Sequence, residues 1–104
     1  MRGCQFSNTD GLRAATEEIL KRLSKNGYSL QTPYNAELAI WQSRITNTQG
    51  ESVATIGLKK SVPYILTFSF SPIPKLKQET DAIHKIISDT GNAYNGKWTT
   101  VLKR

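Results

Sequence analysis

From Val62 to Ser71 the chain alternates with a period of two. Val62, Tyr64, Leu66, Phe68 and Phe70 fall on one side, and Pro63, Ile65, Thr67 and Ser69 on the other. An extended strand sends successive side chains to opposite faces, so one face of this strand is an unbroken row of large apolar groups. Such a row must be covered, and the covering material available here is amphipathic helix. Two stretches have the right spacing. Leu12, Ala15, Ile19, Leu20 and Leu23 recur at the helical period, with Arg13, Glu17, Glu18, Lys21, Arg22 and Lys25 opposite. Leu76, Ile83, Ile86 and Ile87 recur in the same way nearer the end.

Local signals set the boundaries. Ser7-Asn8-Thr9-Asp10 is a cluster of short polar side chains suited to accept from the free N–H groups of a first turn. The first helix is expected from Asp10 or Gly11 to about Asn26, closed by a left-handed cap at Asn26-Gly27. Glu17–Lys21 and Glu18–Arg22 are expected as ion pairs one turn apart. Pro72 and Pro74 end the long strand, and a second helix is expected from about Lys75 to Thr90, stopped by Gly91. Residues 92–98 then turn the chain, with Gly96 permitting positive φ, into a last strand over Thr99 to Leu102.

Residues 2–6 and Tyr28 to Gln31 read as short strands. Thr32-Pro33 has two readings: the start of a helix through Arg44, or a loop followed by a strand over Glu37 to Thr46. The strand is preferred, with Ala39, Trp41, Ser43 and Ile45 on one face and Leu38, Ile40, Gln42 and Arg44 on the other. Asn47 to Glu51 is then a hairpin loop and Ser52 to Leu58 its partner strand. The expected fold is a single α+β domain over residues 1–104, in the order (β)αβββαβ or near it. It is a two-layer sandwich, two helices on one face of a mostly antiparallel sheet, close to the ferredoxin-like arrangement.

A chain of 104 residues with 38% hydrophobic content can bury a core without metal or disulfide staples. No apolar run approaches the roughly 18 residues of a membrane span. The first six residues lack the apolar stretch of a signal peptide. Cys4 is the only cysteine, which excludes an intrachain disulfide and a cysteine zinc site. It reads as a half-buried thiol on the first strand, and the expected location is the cytoplasm. The formal charge of +6 favours polyanions or acidic protein surfaces as partners.

Catalytic constellations are scarce. His84 is the single histidine. Asp81 and Ser88 lie one helical turn away on either side, but helix flanks carry such groups routinely. The carboxylates are dispersed. Gly91 to Gly96 follows a helix, whereas a phosphate cradle precedes one. No enzyme, cofactor or metal is expected. Binding is better supported. Lys59, Lys60, Lys75, Lys77, Lys85, Lys97, Lys103 and Arg104 sit in the C-terminal half with Tyr64, Tyr94 and Trp98 among them. Lysines meet phosphates and aromatic rings stack on bases. Phe68 and Phe70 alternate toward the core face and are read as core, not stacking platforms.

The stretch Asp81 to Leu102, with Thr90-Gly91-Asn92-Ala93-Tyr94-Asn95-Gly96-Lys97-Trp98 at its turn, resembles the C-terminal unit of the ribonuclease E inhibitor family, the B-type regulators of ribonuclease activity. That unit leads from a helix through Gly-Gly-x-Tyr-Asp-Gly-Trp into a final strand. Gly91, Tyr94, Gly96 and Trp98 match, with Asn95 for Asp and an added Lys97. Asn26-Gly27-Tyr28-Ser29-Leu30 is similar to the family's helix–Gly–aromatic–strand. The resemblance implies a non-catalytic α+β protein that binds an RNA-processing enzyme. The family's inhibitors are acidic and this chain is basic, so nucleic-acid mimicry is not carried over. The expected function is a regulatory or inhibitory protein docking on another protein, of nuclease or toxin kind, as immunity proteins and antitoxins do. The alternative is a small RNA-binding module.

Overall fold

The computed structural model describes residues 2–100 of the chain. They form β1 (Arg2–Phe6), α1 (Thr9–Lys25), β2 (Ser29–Leu30), β3 (Ile40–Thr46), β4 (Ser52–Lys59) and β5 (Tyr64–Phe70). A single 3-10 turn (Pro74–Leu76) leads into α2 (Lys77–Ala93), and β6 (Lys97–Thr100) follows. The sheet is antiparallel throughout, in the order β2-β3-β4-β5-β1-β6. The α+β class with two helices therefore holds. Four strands separate the helices where the expected order wrote three, the extra one being the two-residue β2. Thr32–Ala39 is loop, so the strand reading of the next segment was correct, with its start at Ile40.

One cluster joins both helices to one face of the sheet. Leu12, Ala15, Ile19 and Leu23 from α1 and Ile83 and Ile87 from α2 pack with Cys4, Trp41, Ile45, Ile56, Leu58, Leu66 and Phe68. β3 alternates as its sequence does: Trp41, Ser43 and Ile45 are buried, and Ile40, Gln42 and Arg44 are exposed. The long row of β5 is shorter than it reads. Leu66 and Phe68 are buried and Tyr64 and Phe70 half-buried, but Val62 lies in the preceding turn and is 76% exposed.

Asn8 caps α1, its side chain accepting from the Gly11 N–H at 2.8 Å. Gly27 takes the positive φ expected after the helix. Arg22 pairs with Glu18 at 2.9 Å as predicted, but Glu17 pairs backward with Arg13 at 2.9 Å instead of with Lys21. At the other helix the expected stop is wrong. Gly91 is inside α2, which runs on to Ala93, and it is buried. A Cβ there would stand 2.6 Å from Trp98 Cζ2, so glycine makes room for the indole. The positive φ of the following turn belongs to Asn95, not Gly96. A Cβ on Gly96 would overlap the Cys4 sulfur. Both glycines exist for close approach.

Asn47 organises the β3–β4 hairpin. Its Oδ1 accepts from the N–H groups of Gln49 at 3.0 Å and Glu51 at 2.9 Å, and its Nδ2 donates to Glu51 at 3.2 Å and to Glu79 of α2 at 2.9 Å. Lys75 meets Glu51 at 2.6 Å. The hydrogen bond from Lys75, then that from Asn47, holds the Glu51 carboxyl below its usual range. A depressed carboxyl contributes its tie at neutral pH and loses it as pH falls through the folded-state value. Asn47→Ala removes four hydrogen bonds from a buried site at once. It should cost about 2 kcal/mol, read as a lower thermal midpoint and faster amide exchange at Gln49 and Glu51. Unchanged exchange there would refute the assignment.

Candidate functional site

With both helices on one face, the other face of the sheet is bare. Residues paired directly across strands share a face, so the register places them in rows. Ile40, Lys59, Ile65, Gln5 and Lys97 form the first row, running from β3 through β4, β5 and β1 to β6. Gln42, Gly57, Thr67 and Gly3 form the second. Arg44, Thr55 and Ser69 form the third, with Gln31 beside Arg44 through its N–H to the Arg44 carbonyl at 3.0 Å. The first and third rows are four residues apart along the strands, about 14 Å.

The middle row is floored by glycine. A Cβ on Gly57 would press on Thr67 Oγ1 and the Trp41 carbonyl, each at 3.3 Å, so the strand is smooth where its neighbours carry Gln42 and Thr67. Hollows of about 380 Å³ and 260 Å³ lie on the two sides of Arg44. No open-face position of these rows holds Asp or Glu, and Arg44, Lys59 and Lys97 supply three cations. Among the described residues the ion pairs lie elsewhere. Arg13–Glu17, Arg22–Glu18, Lys77–Asp81 and Lys85–Asp89 run along the helices, and Lys75–Glu51 ties the hairpin. The sheet face is thus cationic, polar in its second and third rows with Ile40 and Ile65 in its first, and the helix layer is charge-balanced.

The residues singled out in the sequence do not converge. Lys59 and Lys97 share the first row. Lys60 is half-buried and donates to the Ala36 carbonyl. Tyr94 is 37% exposed at the C-terminal end of α2, at the same end of the sheet as Lys97. Trp98 faces the helices: its ring stands 5.7 Å from Phe68, its Nε1–H donates to Asn92 Oδ1 at 2.8 Å, and the Arg2 guanidinium lies 5.5 Å over it. It is structural. Lys75 and Lys77 are at the opposite end, each paired with a carboxylate. Lys103 and Arg104, and the end of the predicted last strand, lie outside the described residues. Arg44, Gln42 and Thr67 were missed as site residues. The alternation in β3 and β5 put them on the outer face, but nothing in the sequence says that face is uncovered.

His84 does not have the partners its helix neighbours suggest. Asp81 is engaged by Lys77 at 2.7 Å. The His84 Nε2 is 2.7 Å from Arg2 of β1, and Nδ1 is 3.4 Å from Ser88. The ring packs on Phe70 with centroids 5.6 Å apart. It joins α2 to β1. Among the described residues no three His, Cys, Asp or Glu side chains gather to hold a metal ion. No helix there is long and apolar enough to cross a membrane. Cys4 is fully buried, not half-buried. Burial pushes its thiol up to about 11, so the nucleophilic thiolate is suppressed. A disulfide reagent should leave the native protein unmodified at mildly alkaline pH and label one thiol after denaturation. Rapid labelling of the folded chain would contradict this burial.

No protein-family model, no curated protein and no solved structure matches the chain.

Proposed function

We propose that the chain is a non-enzymatic regulatory or inhibitory protein that docks on another protein through the open face of its sheet. The observation carrying this reading is that face: three cations, no carboxylate at its row positions, and polar side chains ready to hydrogen-bond, set opposite a helix layer whose charges are matched. A bare cationic face favours a partner of opposite sign. The class of partner, a nuclease or a toxin, rests on the resemblance of the Thr90–Trp98 stretch to the ribonuclease E inhibitor family. Gly91, Gly96 and Trp98 of that stretch form a packing joint here, so the resemblance speaks for architecture more than for contact residues. We also read the sheet as a ferredoxin-like variant, β1 lying between β5 and β6 as in split β-α-β units, with β2 and β3 extending it beyond β4. A reducing cytoplasm suits the single buried thiol.

The intact tagged chain should recover one protein from its host in stoichiometric amount, and Lys59→Glu with Lys97→Glu should weaken the capture. Recovery of no stoichiometric protein counts against docking. The cationic face also supports the second reading, RNA binding along phosphates. In that case affinity for a single-stranded RNA should fall with salt at a logarithmic slope of about −2, from three phosphate contacts. No binding at low salt removes the RNA reading.

A further inference from the structure

The end of the sheet where β3 begins carries apolar side chains that the core does not use. Ile40 is 70% exposed, Val62 76% and Leu38 43%. Ile40 faces Lys59 across the β3–β4 ladder, and Lys59 faces Ile65 across the β4–β5 ladder. Val62 stands in the turn joining β4 to β5, at the same end. Leu38 precedes Ile40 by two residues. Isolated exposed aliphatics such as Leu38 and Val62 are ordinary, but Ile40 and Ile65 flank Lys59 directly across the two ladders, and neighbouring apolar groups left on an uncovered face suit a contact surface.

Resting on the docking reading above, we infer that the Ile40–Lys59–Ile65 row is the anchor of the docking face and that it takes a protein surface presenting an apolar side chain between carboxylates. The aliphatic groups decide for protein over nucleic acid. Isoleucine and valine offer nothing to a phosphate, and the row holds no aromatic ring to stack on a base. The lysines decide the sign. Lys59 is inside the row and Lys97 ends it about 14 Å away, three strands on, and no Asp or Glu stands between them. Ile65 and Gln5 lie between the two lysines along the row, and apolar groups set beside cations suit a protein–protein contact whose charge selects which partner arrives.

The test uses the full chain and a phage-displayed library of random short peptides. Clones enriched on the native protein should carry Leu, Ile, Phe or Trp flanked by Asp or Glu. Their binding should fall about 30-fold, the size of a central interface residue, on Ile40→Asp and on Lys59→Glu. It should be unchanged on Lys85→Glu in the helix layer. Circular dichroism checks that each variant is folded, and Val62→Asp serves if Ile40→Asp is not. Enriched clones lacking the acidic–apolar pattern, or binding Ile40→Asp as well as the native chain, overturn the inference. Clones lost instead on Lys85→Glu overturn it while docking itself stands at another surface. A library yielding no enriched clone also overturns it, and the recovery of a host partner then decides separately whether docking survives.

Discussion

Gly96→Ala should lower the stability of this protein by about 3 kcal/mol. The cause is steric, since Gly96 is not among the positive-φ residues. An added methyl would overlap the Cys4 sulfur and stand 3.1 Å from two Phe6 ring carbons. The sulfur has nowhere to retreat. Cys4 is 0% exposed, and the Gly91 side of its pocket is already close, a Cβ there lying 3.1 Å from the same sulfur. For a domain of this size the loss corresponds to a thermal midpoint about 15 °C lower. The cause can be isolated with a double-mutant cycle. Cys4→Ala removes the obstructing sulfur, so Gly96→Ala on that background should recover at least half of the loss. If Gly96→Ala melts with the parent, or if Cys4→Ala gives no relief, the joint between β1, α2 and β6 is not packed as described.

Phe68→Ala should cost about 4 kcal/mol, a large share of the roughly 5–15 kcal/mol that a domain has in total. Phe68 is 2% exposed, and the rings of Phe70, Trp98 and His84 meet it at centroid distances of 5.6, 5.7 and 6.5 Å. Removing it leaves a cavity ringed by groups anchored on β5, β6 and α2, and rings held from three elements cannot collapse together to fill it. Urea denaturation measures the change directly. Phe70→Ala should cost less than half as much, because Phe70 is half-buried at the end of the same strand. Equal losses at the two positions would show that Phe68 is not the centre of the core.

Phe68 and the Gly91–Gly96–Trp98 joint lie under the sheet, and the rows from Ile40 to Lys97 lie over it. Weakening the underside should reduce binding only by reducing the folded fraction. Changing Ile40 or Lys59 should reduce binding with the melting temperature nearly unchanged. The separation of the two effects distinguishes scaffold from docking face without knowledge of the partner.

What the sequence determined by itself is local. The period-two run around Phe68, the helical stripe from Leu12 to Leu23, a cap within Ser7–Asp10 and the turn at Gly27 follow from hydrogen bonding and side-chain direction within a few residues, although α1 begins at Thr9, ahead of Asp10, and β5 at Tyr64, after Val62. The faces of β3 were legible for the same reason: alternation alone sends Trp41 inward and Arg44 outward. Tertiary structure decided the rest, because the deciding neighbours are distant in the chain. Gly91 reads as a helix stop until Trp98 occupies the space where its side chain would be. Gly96 reads as a turn residue until the sulfur of Cys4 is beside it. Glu17 turns to Arg13, and His84 to Arg2, by choices among equally spaced neighbours that spacing cannot make. The open face is the largest of these decisions. Ile40, Lys59, Ile65 and Lys97 belong to four strands, and only the ladder register lines them up. They face outward because both helices cover the other side.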